Sequence, residues 1–160
     1  MKILVVSDSH GKCEYMLRAI RLENPDYLIH LGDHSLDAQC LKSTYPALPI
    51  LSIRGNCDWT DTQTPDIAEP VYAGIRIFAT HGHRYGVKNG LLRILMAAKE
   101  KAARIVLFGH THCAYCEEHS GVWMLNPGSC GQGINATYGL IVIKDELLVC
   151  SVKRIEEGDR

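Results

Sequence analysis

The sequence contains no hydrophobic run long enough to cross a membrane and no cluster of charges of one sign. A membrane-spanning helix needs about 20 consecutive apolar residues, and no window of these 160 residues approaches that length. The 17 Lys and Arg residues and the 18 Asp and Glu residues are scattered, and the formal net charge is −1. We therefore expect no strong nucleic-acid-binding patch and no membrane-binding surface.

A disulfide framework, an internal repeat and a low-complexity segment are also missing. The seven cysteines are an odd number without framework spacing, which favours a reducing compartment. The apolar run before Asp8 is too short for a signal peptide, so the expected location is cytoplasmic. Cys113 and Cys116 have the spacing of a redox pair. They lead into a predicted strand rather than a helix, which argues against redox chemistry.

The length and composition of the chain are those of a single domain. A chain of 160 residues can enclose one hydrophobic core, and 46% hydrophobic with 22% charged residues is ordinary for a globular protein. We therefore expect one domain that spans residues 1–160.

The first third of the chain alternates predicted strands and helices. The predicted elements are strands over Lys2–Ser7, Asp26–Leu31 and Leu48–Ile53, a helix from Cys13 that stops at Asn24-Pro25, and a short helix over Leu36–Tyr45. This alternation is typical of a parallel sheet with crossover helices. In such sheets, ligands bind at the carboxyl ends of the strands.

The rest of the chain is predicted to be mostly antiparallel, after a surface loop over residues 58–70. The predicted elements are a hairpin over Val71–Thr80 that turns at Ala73-Gly74, a helix over Lys88–Lys101, a strand that ends at Phe108, a hairpin over Ala114–Leu125, and a hairpin over Thr137–Ile155 that turns at Asp145-Glu146. Together with the first third, these elements predict a mixed α/β domain of two packed sheets with helices outside.

Five of the predicted strands end in short polar clusters. The candidate metal ligands in these clusters are Asp8, His10, Asp33, Asn56, His81, His110 and His112. Seven oxygen and nitrogen donors are more than one ion can use, but they suit two metal ions that share a bridging carboxylate. The carboxylates offset the charge of two dications, and neutral imidazoles and an amide oxygen complete the coordination.

His110 and His112 form the pair around which this hypothesis is built. In extended backbone, side chains two positions apart point the same way, so we expect both rings to converge on one place while Gly109 lets the chain bend. The alternative interpretation is a polar loop with two solvated histidines.

Two metal ions about 3.5–4 Å apart would hold a hydroxide between them and bind the attacking and leaving oxygens of a phosphoryl group. They would also supply the positive charge that the scattered Lys and Arg residues cannot. The residues therefore indicate a dimetal centre for a phosphate-bearing substrate.

Five short motifs, in this order, resemble those of the calcineurin-like metallophosphoesterase superfamily. The motifs are Asp8-x-His10, Gly32-Asp33, Gly55-Asn56, His81-Gly82 and Gly109-His110-x-His112. The resemblance extends to the Asn126-Pro127-Gly128-Ser129 turn, which we expect to shape the base of the site. In length and in Asn56-Cys57-Asp58, the chain is most similar to the small prokaryotic phosphodiesterase branch, which shares its fold with a retromer subunit.

The resemblance implies a fold, a cofactor and a division of the ligands. The fold would be a four-layer α/β/β/α sandwich of two mixed sheets flanked by helices. The cofactors would be two divalent metal ions, most often manganese, with iron, nickel, zinc or magnesium as alternatives. One ion would take Asp8, His10, Asp33 and His112, and the other would take Asp33, Asn56, His81 and His110. Asp33 would bridge them.

Cys57 departs from the pattern of the wider superfamily, in which many members have a histidine that donates a proton and is oriented by the next acidic residue. A thiol with a pKa near about 8.5 could donate a proton with weaker directionality, so we expect a preference for diesters with good leaving groups over alkyl monoesters. His83 is predicted either to contact substrate or to be a solvated loop residue. We interpret His30 as a core residue and His34 as the start of the next helix.

The predicted function is a dimetal phosphodiesterase that uses a metal-bridging hydroxide for in-line attack on a small phosphodiester. One alternative is a phosphomonoesterase or nucleotidase of the same fold. Another is a non-catalytic scaffold protein, although a scaffold has no need for all seven ligands. Strand edges at Val71–Phe78 and in the C-terminal hairpins permit a homo-oligomer.

Overall fold

The computed structural model describes residues 1–145 and 147–155. Its α-helices are α1 (Cys13–Glu23), α2 (Asp37–Thr44) and α3 (Leu92–Glu100). Its strands are β1 (Lys2–Val6), β2 (Tyr27–His30), β3 (Ile50–Ser52), β4 (Ile67–Ala68), β5 (Val71–Tyr72), β6 (Ile75–Thr80), β7 (Ile105–Leu107), β8 (Tyr115–His119), β9 (Val122–Asn126), β10 (Thr137–Lys144) and β11 (Leu147–Arg154). Glu146 in the last predicted turn and residues 156–160 of the predicted domain lie outside the described residues.

The first sheet has the strand order β11-β10-β1-β2-β3. Strands β1, β2 and β3 are parallel to one another, as the alternation of strands and helices predicts. The C-terminal hairpin joins this sheet because β10 runs antiparallel to β1. The sheet is therefore mixed, with its parallel part built by the first third of the chain.

The second sheet has the order β4-β6-β7-β9-β8, with β5 paired to β6. The prediction of a mostly antiparallel second half was wrong for its centre, because β6, β7 and β9 are parallel. Helix α3 makes a crossover between β6 and β7, which places them side by side in the same direction. In the β8–β9 hairpin, β9 pairs with β7, so β8 lies at the edge of the sheet.

Three hydrophobic cores separate four layers. Ile3 and Val5 of β1 face the core between the two sheets, while Leu4 and Val6 face the core under α1 and α2. The third core lies between the second sheet and α3. The apolar run of β1 is continuous because both of its faces are buried. The α/β/β/α sandwich implied by the resemblance is confirmed.

The helix ends show where local signals suffice. Helix α1 ends as predicted, because Asn24 adopts a left-handed conformation with φ 45° and its N–H bonds to the carbonyl of Ile20. Helix α3 begins at Leu92 rather than at Lys88, since Gly90 has φ 140° and interrupts the turn before it.

In residues 58–70, predicted to be a loop, the two-residue strand β4 pairs with β6. Cys116 lies in β8, as expected.

Among residues 1–145 and 147–155, no helix combines the length and apolar character needed to cross a bilayer.

Candidate metal centre

Loops that follow β1, β2, β3, β6 and β7 bring the seven predicted ligands into two overlapping groups. The His10 cluster consists of Asp8, His10, Asp33 and His112, and one ligand atom from each lies within 4.8 Å of the others. The His81 cluster consists of Asp33, His81 and His110 at the same spacing, together with Asn56, whose Oδ1 lies 3.1 Å from Nε2 of His81. Asp33 belongs to both clusters, which is the division that the resemblance implies.

Five of these seven residues hold a left-handed backbone. The φ angles are 55° at Asp8, 48° at His10, 56° at Asp33, 67° at His110 and 59° at His112. Asp and His tolerate this region better than most residues, but it still costs about 1–3 kcal/mol at a non-glycine position and persists only where the surroundings enforce it. The concentration of such residues at five ligand positions marks a functional site.

The expectation that His110 and His112 converge through extended backbone was wrong. Both residues are left-handed, so their side chains do not follow strand alternation. His112 instead lies with Asp8 and His10, while His110 lies with His81 and Asp33. The pair therefore divides between the two clusters.

Gly109 is required by close approach rather than by a special backbone angle. A Cβ at this position would collide with Oγ of Ser7 and lie 2.8 Å from Oδ2 of Asp8. The absence of a side chain lets the loop after β7 lie directly against the end of β1. The same carboxylate oxygen of Asp8 then accepts a hydrogen bond from the N–H of His110 at 3.2 Å.

His81 is fully buried and is fixed by the carbonyl of Leu31. Because that carbonyl can only accept, Nδ1 of His81 donates to it at 2.8 Å, which leaves Nε2 as the nitrogen that can bind a cation. Nε2 lies 3.1 Å from Oδ1 of Asn56 and 3.5 Å from Oδ2 of Asp33. Three lone-pair-bearing atoms that face one another in this way suit a shared cation.

In the His10 cluster, too, atoms that can offer a lone pair face one another. Oδ1 of Asp8 is buried, accepts no hydrogen bond within the described residues, and lies 3.1 Å from Nε2 of His112. Nε2 of His10 lies 3.5 Å from the same nitrogen of His112. His10 is exposed and the His112 side chain is 36% exposed, so solvent reaches this cluster. The donor set of both clusters therefore fits divalent cations.

Asp33 lies between the clusters as an ionised carboxylate. Its Oδ1 accepts a hydrogen bond from the N–H of Cys57 at 2.8 Å, and its Oδ2 faces His81. Burial acts to raise the pKa of Asp33, but the N–H of Cys57 and the neighbouring His81 outweigh burial, so the pKa lies below its ordinary value. A negative charge is thus maintained where the two clusters meet.

Asp58 positions the loop that carries Asp33. Its carboxylate accepts hydrogen bonds from the N–H groups of Asp33, His34, Ser35 and Gly55 at 2.8–2.9 Å. In many members of the superfamily that the sequence resembles, the acidic residue at this position orients a histidine before it, whereas Asp58 holds two ligand loops together. The only sequence signal was the presence of an acidic residue directly after Asn56-Cys57.

Asp37 and His30 position the loop that carries Asp8 and His10. Oδ2 of Asp37 accepts hydrogen bonds from Oγ of Ser9 at 2.6 Å and from the N–H of Gly11 at 2.8 Å. Nδ1 of His30 accepts from the N–H of Gly32, so its Nε2 donates to Oγ of Ser9 at 3.1 Å. Burial lowers the pKa of His30 to about 4. The interpretation of His30 as a core residue is confirmed, and the positioning role of Asp37 was not predicted.

Asn126 holds the loop that carries His110 and His112. Its Nδ2 donates to the carbonyl of Gly109 at 3.1 Å and to Oγ1 of Thr111 at 2.9 Å. Ser129 donates from Oγ to the carbonyl of Asp8 at 2.8 Å. This turn therefore shapes the base of the site, as expected.

Cys57 and His83 lie beside the clusters. Desolvation and the Asp33 carboxylate raise the pKa of Cys57 to about 11, well above the value assumed from the sequence, so the exposed thiol is neutral. The His83 ring centre lies 5.4 Å from that of His81 and 6.1 Å from that of His110. Burial and His81 lower the pKa of His83.

His34 lies just before α2 and its ring centre is 6.0 Å from that of His10. Its carbonyl accepts the N–H of Asp37 at 2.9 Å, in agreement with the expectation that it precedes the helix. No metal cluster found among the described residues includes it.

The chain is similar in sequence and in fold to known proteins. Residues 1–146 match the family model of the calcineurin-like phosphoesterase superfamily domain. The chain is 37% identical over 133 residues to the probable metallophosphoesterase YsnB of Bacillus subtilis, an alignment that covers 81% of this chain and 75% of that relative. It is 27% identical, over an alignment of 167 positions, to the phosphodiesterase YfcE of Escherichia coli K12, and this alignment covers 88% of this chain and 87% of that relative.

Among solved structures, the chain is similar to Vps29 of Chaetomium thermophilum, with a TM-score of 0.75 and 17% sequence identity over 97% of this chain and 95% of that one. At this identity the likeness shows the fold alone. The family match and the relatives agree with a divalent metal site at the two clusters. The chain therefore belongs to the calcineurin-like phosphoesterase superfamily.

Proposed function

We propose that this metallophosphoesterase is a phosphodiesterase that uses two divalent metal ions. The observation that carries the proposal is the position of Asp33, which has an ionised carboxylate in reach of both clusters. Bound ions would supply a hydroxide nucleophile and positive charge for the phosphoryl oxygens. The scattered basic side chains offer no substitute for that charge.

The protein's own residues hold and orient this centre. Asp8, Asp33 and the imidazole nitrogens would bind the ions, while Asp58, Asp37 and Asn126 keep the loops in place through hydrogen bonds. Such outer contacts commonly change metal affinity or activity by about 10–100-fold when removed. The same contacts would set the orientation of a phosphoryl group relative to the nucleophile.

Cys57 supports a preference for phosphodiesters with good leaving groups. Its neutral thiol retains a proton that it could donate to a leaving oxygen, but a thiol is a less directional donor than an imidazolium. Relatives from Escherichia coli and from Methanocaldococcus jannaschii are named phosphodiesterases. We therefore favour aryl diesters over alkyl monoesters as substrates.

Manganese is the proposed ion, with iron, nickel, zinc or magnesium as alternatives. The candidate ligands are carboxylate and amide oxygens and imidazole nitrogens, without a thiolate that would select zinc or an iron–sulfur cluster. We also propose that the enzyme acts in the cytoplasm on small diesters. Its strand edges at Val71–Phe78 and in the C-terminal hairpin would permit a homo-oligomer.

The test compares hydrolysis of bis-p-nitrophenyl phosphate and p-nitrophenyl phosphate by metal-stripped protein reloaded with Mn²⁺. The matched variants are Asp33→Gly and His110→Gly, because glycine removes the ligand without straining these left-handed positions. We expect Mn²⁺-dependent turnover of the diester, faster than that of the monoester, and loss of turnover in both variants. Faster monoester turnover would instead support a phosphomonoesterase. No turnover by folded, metal-loaded protein would support a scaffold.

A further inference from the structure

A cleft of about 310 Å³ opens beside Asn56, on the side of the His81 cluster. Its lining residues are Arg54, Gly55, Asn56, Trp59, Asp66, His83 and Arg84. The volume lies at the lower end of the range for small-molecule sites, about 300–1,000 Å³. Among these residues, Asn56 is a candidate metal ligand and His83 was predicted as a possible substrate contact. The others therefore need a separate explanation.

Trp59 is 82% exposed although the loop that carries it is firmly held. On one side, the Asp58 carboxylate accepts four backbone N–H groups, among them those of Asp33 and Gly55 at 2.9 and 2.8 Å. On the other side, the N–H of Asp61 donates to the carbonyl of Asp58 at 2.9 Å. The Trp59 ring is large and apolar, its backbone is fixed, and it lies three residues from the candidate metal ligand Asn56. It is therefore well placed to stack on an aromatic ligand.

Three other residues that line the cleft, Arg54, Asp66 and Arg84, carry an excess of positive charge. Asp66 is shared by two guanidinium groups, since Arg54 donates to its carboxylate at 2.8–2.9 Å and Arg84 lies 2.9 Å from it. The Arg84 side chain is 59% exposed, whereas that of Arg54 is 24% exposed. Two cations and one anion leave a net positive charge, and Arg84 is the group that a ligand can reach.

We propose that this cleft binds the nucleoside arm of a nucleotide phosphodiester, with the base stacked on Trp59 and an anionic oxygen of the nucleotide near Arg84. This inference rests on the proposed phosphodiesterase function and names its substrate class. Base stacking on aromatic side chains tolerates any base, because every base has a π-face. The Arg guanidinium is well suited to phosphate oxygens.

A second cavity near the metal clusters is less suitable for the nucleoside than the Trp59 cleft. It has a volume of about 430 Å³ and borders the same loop at Cys57 and Asp58. Its lining residues are His34, Ser35, Leu36, Gln39, Cys57, Asp58, Thr60, Asp61, Thr62, Gln63 and Thr64. None of these described lining residues is a tryptophan, tyrosine or arginine. An aromatic base with a phosphate beside it is therefore better matched by the Trp59 cleft.

The first experiment measures binding without metal or turnover. Adenosine 5′-monophosphate and ribose 5-phosphate are titrated into metal-free protein, and binding is followed by Trp fluorescence and by calorimetry. The chain has two tryptophans, Trp59 and the half-buried Trp123. We expect the nucleotide, and not ribose 5-phosphate, to quench the wild type. Trp59→Ala should bind the nucleotide about 5–100-fold more weakly, while Trp59→Phe retains most of the affinity but not the quenching.

The second experiment compares two diesters with the same leaving group, thymidine 5′-(p-nitrophenyl phosphate) and methyl p-nitrophenyl phosphate, with Mn²⁺ present. We expect wild type to prefer the thymidine ester by at least about fivefold in kcat/KM, and Trp59→Ala and Arg84→Gln to lose that preference. Leu92→Ala, an exposed apolar residue on α3, is the control that should behave as wild type.

The two proposals fail in different ways. Turnover of the methyl ester with no preference for thymidine, and nucleotide binding unchanged in Trp59→Ala, would overturn the cleft proposal alone. No turnover of either ester, with nucleotide binding that still depends on Trp59, would overturn the phosphodiesterase function and support the cleft as a nucleotide site.

Discussion

The His81 cluster and the His10 cluster share Asp33 but hold their histidines in different ways. His81 is fully buried, and its Nδ1 donates to the carbonyl of Leu31 at 2.8 Å. His10 is exposed, and its Nδ1 makes no hydrogen bond within the described part of the chain. Nδ1 of His112 has only a 3.5 Å contact with the Gln132 side chain, at the limit of a hydrogen bond.

One site can thus combine a rigid cluster of ligands with a cluster whose histidine rings are free to reorient. A ring fixed by an outer hydrogen bond loses little freedom when it binds a metal ion, so its affinity is higher. A solvent-exposed ring without such a bond must be ordered during binding. We therefore expect the His81 cluster to bind the tighter ion and the His10 cluster to bind the exchangeable one.

The largest effect on activity is expected at Asp33, because its carboxylate belongs to both clusters. Asp33→Gly removes the one residue common to both clusters, so both ions should be lost and diester turnover should fall by on the order of a thousandfold or more. Metal content by mass spectrometry and kcat/KM check the expectation. Retention of both ions by this variant would show that the clusters do not depend on a bridge.

The next effect separates the clusters. His81→Ala should weaken the tighter of two Mn²⁺ binding steps by at least about a hundredfold, while His10→Gly should weaken only the looser step. Calorimetric titration of metal-free protein with Mn²⁺ resolves the two steps. If both variants lost the same step, the assignment of tight and exchangeable ions would be wrong.

A smaller effect is expected from the residue that supports the shared carboxylate. Asp58→Asn keeps the shape of the side chain but weakens four hydrogen bonds to the loops of Asp33 and Gly55, so activity should fall by about 10–100-fold. Asp145→Asn, on an exposed turn, is the matched control and should leave kcat/KM unchanged. An effect of equal size in both variants would point to lost negative charge rather than lost positioning.

The smallest effect on activity, and a clear one on stability, is expected at His30, which lies beneath both loops. Because its pKa falls from 6.5 to about 4 on folding, the unfolded chain binds the proton more readily. Stability of the metal-free protein should thus be complete above pH 6.5 and should decrease by about 3 kcal/mol as the pH falls to 4.

Denaturant unfolding across this range measures the decrease. His30→Gln should flatten the pH profile, whereas His119→Gln, at a partly exposed histidine in β8, should retain the wild-type profile. A wild-type profile that is flat between pH 6.5 and 4 would contradict the prediction.

The strand ends were predictable because the signals are local. The apolar run of β1 is followed by Ser7-Asp8, and that of β7 is followed by Phe108-Gly109, so the sequence shows where these buried strands stop. The parallel centre of the second sheet was not predictable in the same way. It depends on which strand of the β8–β9 hairpin joins β7, a choice made by tertiary packing.

The supporting residues of the site were harder to predict than its ligands. Asp58 acts on the N–H of Asp33, 25 positions away, and Asp37 acts on Oγ of Ser9, 28 positions away. Such contacts have no local pattern. The backbone of His110 and His112 was misjudged for the same reason, since the contact of Gly109 with Ser7 decides the path of that loop.

The left-handed backbone of the ligand loops has a consequence for how such a site can change over generations. The residues that accept this conformation most readily are glycine, asparagine, aspartate and histidine, and three of these four can ligate a metal ion. A β-branched replacement at Asp8 or His112 would lose the ligand and also meet an unfavourable backbone. Substitutions at these positions are therefore limited to a few residue types, and most of those types can also coordinate a metal ion.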